Sequence, residues 1–291
     1  MEFESRIIEE KLRSFLKEDL GYGDITTDSL VQPSVEGVAN VVCNEPAVIA
    51  GLRESIALFE IMGCKGKTSI KDGDRVKTGS EILKASGPAG SLLKVERTVL
   101  NLLCHMSGIA TITSELVQLA EKKQTRPVRI ACTRKTLPGL RYFEKRAVTL
   151  GGGDTHRLRL DDEVLIKDNH LAIGGSITEC VKEARSRVSF TKKIEVEATR
   201  SSDAVEAAKA GADIVLLDNM KPIEVEKTLA LLREQNLREN ILVEASGGIT
   251  RENLAAYLKT DVDIISVGMM THSARSIDMS MDIHPTSRRR K

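Results

Sequence analysis

IEVEATRSSDAVEAAKAGADIVLLD, residues Ile194 to Asp218, decides the fold of this chain. It opens on a short strand-like run ending at Val196, passes through an amphipathic helical segment from Ser201 to Ala210, and closes on an apolar run ending at Leu217. Strand, helix and strand at this spacing make a βα unit with parallel strands. The same unit repeats in both directions: apolar runs end at Cys132, Ile166, Val196, Leu217, Val243 and Val267, and further helical segments span Pro222 to Glu234 and Arg251 to Leu258. Such units build a parallel α/β barrel or a doubly wound sheet; about six strands are visible where a full barrel has about eight, so the expected fold is α/β, an open or incomplete parallel barrel.

Ahead of the repeat the texture differs. Ile7, Ile8, Leu12, Phe15 and Leu16 fall at helical spacing between Glu4 and Leu20, with Gly21 as a stop. From Val35 to Ala85 short β-like runs (Val38 to Cys43, Val48 to Ile49, Thr68 to Ile70, Ile82 to Lys84) predict a small antiparallel sheet. A helix from Ser91 to Cys104 follows, carrying Lys94, Arg97, Asn101 and His105 as a polar stripe on an otherwise apolar surface. Gly108 allows a break, and a second helix from Ile109 to Lys123 leads to Arg126-Pro127, a boundary marker. The expected organisation is an N-terminal α+β sandwich domain over 1–108, a barrel over 109–272, and a C-terminal helix and tail over 273–291 that returns to the N-terminal domain.

Composition narrows the class. The chain has 291 residues, a formal net charge of +1 and 41% hydrophobic residues, enough to bury a large core. No run of about 18 apolar residues and no basic-then-apolar leader is present, so a cytoplasmic location is the default expectation. The five cysteines are scattered and never in CxxC spacing, which argues against a disulfide framework or a zinc site. With three Tyr, five Phe and no Trp, the chain lacks the stacking aromatics of a single-strand nucleic-acid binder, and the basic tail Arg288 to Lys291 reads as a solvated terminus.

Against that neutral background, eight Lys or Arg residues lie between Arg129 and Arg159 with only Glu144 and Asp154 as acids. Arg134-Lys135, Arg141, His156-Arg157 and Lys167 fall beside glycines, turns or strand ends rather than along one helical face. Like charges gathered in a cleft repel one another unless anions offset them, so a small polyanion is the expected partner. The residues just past each apolar run are Thr133-Arg134-Lys135, Lys167-Asp168, Glu197, Asp218, Ser246-Gly247-Gly248 and Gly268, and the carboxyl ends of barrel strands are where barrels place their chemistry. Glu195 and Glu197 share one face of their strand; Glu195 sits deeper, as a partner for an interior cation. Glu197 and Asp218 are candidate Mg²⁺ ligands through carboxylate oxygens and water. The glycine turns at Ser246-Gly247-Gly248 and Val267-Gly268 are candidate phosphate cradles.

Thr133-Arg134-Lys135-Thr136 with Pro138-Gly139, Gly151-Gly152-Gly153 with His156-Arg157, and Leu165-Ile166-Lys167-Asp168-Asn169-His170 together resemble the quinolinate phosphoribosyltransferase family. Supporting segments, in order along nearly the whole chain, include Gly23-Asp24-Ile25-Thr26, Glu96-Arg97-Thr98, Leu216-Leu217-Asp218-Asn219-Met220 and Thr271-His272-Ser273. Leu137 stands where relatives more often have Thr. The resemblance implies joining of quinolinate to phosphoribosyl pyrophosphate with loss of pyrophosphate and carbon dioxide, giving nicotinate mononucleotide for NAD biosynthesis. It implies that Arg134, Lys135, His156, Arg157 and Lys167, with Thr133, surround the dicarboxylate and nearby phosphates. It implies further that Glu197 and Asp218 face the ribose and Mg²⁺, that Ser246, Gly247, Gly248, Val267, Gly268 and Met269 hold the 5-phosphate, and that Lys135 and Lys167 act in decarboxylation. Arg97 then enters the neighbouring subunit's site, making a homodimer the minimum unit. The rival readings are a related phosphoribosyltransferase acting on nicotinate or another base, and a non-catalytic barrel that senses anionic nucleotides.

Overall fold

In a computed structural model, which describes residues 2–123 and 127–286, the chain divides into two compact units: Met1–Thr111 with Ala274–Lys291, and Ile112–Ser273. The boundary residue Arg126 and the basic tail 288–291 lie outside the described residues.

The first unit runs α1 (Glu2–Leu20), α2 (Ile25–Leu30), β1 (Glu36–Cys43), β2 (Ala47–Val48), α3 (Leu52–Ile61), β3 (Lys65–Lys67), β4 (Arg75–Val76), β5 (Ser80–Pro88) and the start of α4 (Ala89–Lys123). β1 buries alternate residues, Gly37, Ala39, Val41 and Cys43, as a strand with one face on a core does, and pairs antiparallel with β5, which pairs with β3. Two expectations fail here. Thr68 to Ile70 is not a strand; the paired segment is Lys65–Lys67, and the Thr68 hydroxyl instead donates to the Ile82 carbonyl at 2.7 Å. The β-like stretch also contains a helix, α3, whose start is capped from outside: the N–H groups of Gly51 and Leu52 both donate to the Asp72 carboxylate at 2.9 Å.

The second unit alternates as the spacing predicts: β6 (Arg129–Ala131), α5 (Arg141–Leu150), β7 (Val164–Ile166), α6 (Asp168–Gly174), α7 (Ile177–Arg187), β8 (Ile194–Ala198), α8 (Ser201–Ala210), β9 (Ile214–Asp218), α9 (Pro222–Glu234), β10 (Leu242–Ser246), α10 (Leu254–Tyr257), β11 (Ile264–Ser266) and α11 (Met269–His272). Its six strands form one parallel sheet in the order β6, β11, β10, β9, β8, β7. β6 and β7, neighbours in sequence, are not bonded to each other, so the sheet is open at that seam. A single parallel bridge from Ala131 to Asp154 covers the outer edge of β6 there, with the Asp154 N–H donating to the Ile130 carbonyl at 2.8 Å. α8 and α9 match the segments read from sequence, but the helix expected from Arg251 to Leu258 contracts to the four residues of α10.

The last strand, β12 (Met279–Pro285), pairs antiparallel with β1 in the first unit, which corrects the expected C-terminal helix. Met279 and Met281 are buried with Ser280 between them less so, a period of two that seven residues of mixed polarity do not advertise. The two helices expected on either side of Gly108 are one continuous helix, α4. Gly108 serves packing instead: a Cβ built there would lie 2.1 Å from the Arg275 carbonyl oxygen. Gly108→Ala is therefore expected to destabilise the protein by about 2–3 kcal/mol through overpacking against backbone, measured as a lowered midpoint in urea unfolding.

Candidate active site

The parallel strands deliver their inward residues to one cleft of about 470 Å³ at their carboxyl ends. β7 supplies Leu165 and is followed by Lys167; β8 supplies Glu197; β9 supplies Leu216 and Asp218; β10 supplies Glu244 and Ser246; β11 supplies Ser266. Residues two apart on a strand share a face, so Glu195 with Glu197, Leu216 with Asp218, and Glu244 with Ser246 all face inward. The odd partners, Val196, Leu217 and Ala245, are fully buried on the other face.

Two loops close the cleft around the seam. The first follows β6 and carries Thr133, Arg134 and Lys135; the second follows the Asp154 bridge and carries His156 and Arg157. Among the described residues, Arg134, Lys135 and Arg157 make no ion pair, and the Arg134 Nε is buried without a hydrogen-bond partner. Burial, with Arg157 and Arg141 close by, pushes the Arg134 guanidinium below its ordinary pKa. A guanidinium in that state gains from an incoming anion, because a carboxylate or phosphate satisfies its donors and offsets the mutual repulsion at once. Lys167 is different: its ammonium is hydrogen-bonded to the Glu197 carboxylate.

Beneath the cations lies an acidic layer. His156 Nε2 is 3.1 Å from Glu244 Oε2 and 3.7 Å from Glu195 Oε2, and its Nδ1 is 3.4 Å from Glu163 Oε1. Glu244 is held in turn by the Ser266 hydroxyl, which donates to Oε1 at 2.6 Å. Burial disfavours the charged imidazole, but Glu195 and Glu244 outweigh it and push His156 up to about 10. Burial and the neighbouring Glu195 push the Glu163 carboxyl up to about 7. His156 takes φ of +50°, a left-handed conformation costing a residue with a Cβ on the order of 1 kcal/mol, and its N–H donates to Asp154 Oδ1 at 2.8 Å. A loop residue, not a strand residue, thus supplies the imidazole that Glu244 and Glu195 face, and its Nδ1 accepts the Arg157 N–H at 2.7 Å.

On the opposite side of the cleft stand Glu197, Asp218 and the glycine turn. Asp218 accepts from the Asn219 amide at 2.6 Å. Asn219 is left-handed (φ +56°), and its N–H donates to the Ser246 carbonyl at 2.9 Å, locking the end of β9 to the end of β10. Gly247 is confined by that lock: its φ is +91°, and a Cβ would lie 2.4 Å from Asn219 Oδ1 and 2.8 Å from Asn219 N. Glu197 and Asp218 commit one oxygen each, to Lys167 and to Asn219, leaving each a second hard oxygen donor. Two carboxylate oxygens suit a Mg²⁺ ion that takes its other ligands from substrate and water.

Of the residues expected from sequence, the structure brings Thr133, Arg134, Lys135, His156, Arg157, Lys167, Glu197, Asp218, Ser246, Gly247 and Gly248 to this cleft. Gly268 borders it, a Cβ there lying 3.4 Å from Lys135 Cδ, whereas Val267 is buried and Met269 opens α11; neither lines the cleft. Arg97 belongs to the other unit, exposed on α4. Arg141 directly follows the turn at Pro138 to Leu140, as expected, and opens α5; its guanidinium bonds Thr136 Oγ1 at 2.9 Å and the Leu158 carbonyl rather than facing the cleft. Missed from sequence were Asn219, Glu244 and Ser266. The signal for Glu244 was present: it stands two residues before Ser246, as Glu195 stands two before Glu197.

Family models for quinolinate phosphoribosyl transferase match both parts of the chain, the N-terminal domain model over residues 24–107 and the C-terminal domain model over 109–282. A protein of Methanothermobacter thermautotrophicus named "Probable nicotinate-nucleotide pyrophosphorylase (carboxylating)" is 48% identical over 94% of this chain and 97% of its own length. The human protein named nicotinate-nucleotide pyrophosphorylase (carboxylating) is 37% identical over 93% and 89%. Among solved structures, NadC from Streptococcus pyogenes superposes with a TM-score of 0.88 at 34% identity, covering 96% of this chain and 97% of that one.

The acidic layer makes stability fall with pH. Because the Glu163 carboxyl is raised from 4.5 to about 7 in the folded protein, the folded state holds a proton that the unfolded chain gives up, and the associated stability, present below pH 4.5, is lost as pH rises through 7. Glu163→Gln keeps a neutral side chain at every pH. Relative to wild type it is expected to gain roughly 1–3 kcal/mol between pH 5 and pH 8, read from paired urea unfolding curves.

Proposed function

Because the chain belongs to the quinolinate phosphoribosyl transferase family, we propose that this cleft transfers the phosphoribosyl group of phosphoribosyl pyrophosphate to quinolinate, with decarboxylation to nicotinate mononucleotide, in NAD biosynthesis. The observation that carries this reading is the meeting of unpaired Arg134, Lys135 and Arg157 with Glu197 and Asp218 at one set of strand ends. A pyridine dicarboxylate and a pentose bearing phosphate and pyrophosphate supply the negative charge that these cations lack. Arg134 and Arg157 suit a bidentate grip on carboxylate, and Lys135 suits a point contact with phosphate or carboxylate. The backbone at Gly247 and Gly248 is bare enough for a 5-phosphate to approach.

In the first step the quinolinate ring nitrogen bonds to the anomeric carbon while the bond to pyrophosphate breaks, its electron pair leaving with pyrophosphate. Positive charge grows on the ribose in that transition state, and Glu197 and Asp218 lie where they can stabilise it. Mg²⁺ held through the second oxygens of Glu197 and Asp218 would supply charge for the pyrophosphate leaving group. In the second step the ring is a pyridinium, and the carboxylate next to its nitrogen leaves as carbon dioxide, its bonding electrons remaining on the ring carbon. Lys135 and Lys167 stabilise that carbanion, and the carbon then takes a proton. The paired Lys167 and Glu197 give this step a cation that is already oriented before substrate arrives.

The proposal extends to a homodimer in which Arg97, exposed on α4, completes the site of a second copy. No helix among the described residues is long and apolar enough to cross a membrane. With quinolinate labelled in the departing carboxylate, phosphoribosyl pyrophosphate and Mg²⁺, the expected result is labelled carbon dioxide and pyrophosphate in equal amounts. Nicotinate has no second carboxylate to lose, so turnover of nicotinate without carbon dioxide would select the rival base. Lys135→Met and Lys167→Met are each expected to lower kcat by about 100-fold or more; turnover within about twofold of wild type would remove both lysines from the mechanism.

A further inference from the structure

We propose that Lys145 is a positioning residue for quinolinate: its buried ammonium grips the carbonyls on either side of His156 and thereby sets where His156 and Arg157 stand in the cleft. The inference rests on the reading of the cleft as the quinolinate site.

Lys145 is 2% exposed, an unusual place for a cation. Its Nζ donates to the Thr155 carbonyl and, at 3.1 Å, to the Arg157 carbonyl. Between those two carbonyls is the left-handed residue His156, whose imidazole faces Glu244 and accepts the Arg157 N–H at 2.7 Å, and Arg157 is the unpaired guanidinium beside it. Burial pulls the Lys145 ammonium below its ordinary pKa, so its environment offers it less than water would. An apolar side chain of similar length would fill the same space but would leave the Arg157 carbonyl without this donor and the Thr155 carbonyl with only the Cys132 thiol, at 3.3 Å.

The rest of the helix face points the same way. Arg141, Glu144 and Lys145 stand at i, i+3 and i+4 on α5 and so share one side of it. Arg141 ties the two basic loops together, through Thr136 Oγ1 at 2.9 Å and the Leu158 carbonyl at 3.4 Å. The fully buried Glu144 receives the Leu137 N–H at 3.3 Å, anchoring the loop that bears Arg134 and Lys135. Lys145 anchors the other. α5 is thus a rigid backing for both loops, and Lys145 is the element that acts on the strained one.

The test compares wild type with Lys145→Met in two ways. In steady-state kinetics the KM for quinolinate is expected to rise about 10- to 100-fold while the KM for phosphoribosyl pyrophosphate stays within about twofold, since misplacing a substrate-binding pair by an ångström has effects of that size. In hydrogen exchange followed by mass spectrometry, without any substrate, peptides covering residues 155–158 are expected to exchange about tenfold faster or more, with protection of β8 to β10 unchanged. An unchanged quinolinate KM, an equal rise in both KM values, or unchanged exchange at 155–158 overturns the proposal. If Lys145→Met does not fold, Lys145→Gln, which keeps an uncharged donor, is read by the same two measurements. A wild-type protein that releases no carbon dioxide from quinolinate sinks the proposed function instead, and the exchange experiment still judges the clamp.

Discussion

The meeting of His156 with Glu195 and Glu244 is what the remainder of the site is stacked upon. Parallel strands face inward at every second residue, so a strand that carries a useful carboxylate near its end, as β8 carries Glu197, has its previous inward position deeper in the protein. Here that deeper position is also an acid on β8 and on β10. Buried carboxylates without a cation are strongly unfavourable. No strand supplies one, and the imidazole comes in from a loop, at the cost of a left-handed backbone.

This arrangement separates charge by depth. Glu163, Glu195 and Glu244 lie around His156, and above them Arg134, Lys135, Arg157 and Lys167 approach the same space. The lower acids attract the upper cations and lessen the repulsion that would otherwise push the rim apart. They also make the floor of the cleft hostile to an anion, so the favourable potential for negative charge lies among the arginines and lysines rather than at the imidazole's carboxylates. Selectivity for anions and exclusion of anions from the floor come from one set of side chains.

The parallel sheet was legible in the chain because its evidence is local: apolar runs, helical spacing, and polar residues just past each run. The helices Ser201–Ala210 and Pro222–Glu234 carry their own start and stop chemistry and emerged with the boundaries the sequence suggested. What escaped depended on distant partners. α3 owes its start to Asp72, about twenty residues away, and β12 exists because β1 accepts it across the length of the chain. Gly108 looked like a break because nothing in its neighbourhood reveals the Arg275 carbonyl that leaves no room for a Cβ. The same holds in the site: cations beside turns were visible, whereas Glu244 and Ser266 became functional only once β10 and β11 lay beside one another and His156 reached them.

The seam between β6 and β7 has a consequence for how such an enzyme can exist at all. A sheet closed into a full ring admits side chains to its interior only from its own strands or over its rim, whereas here a loop enters through the wall, at the one place where no ladder of hydrogen bonds bars the way. The short bridge to Asp154 shields the exposed edge from pairing with foreign strands, so the opening carries little hazard of aggregation. Leaving the ring unfinished frees a doorway, and the residues hung in it are the ones that give the interior its charge.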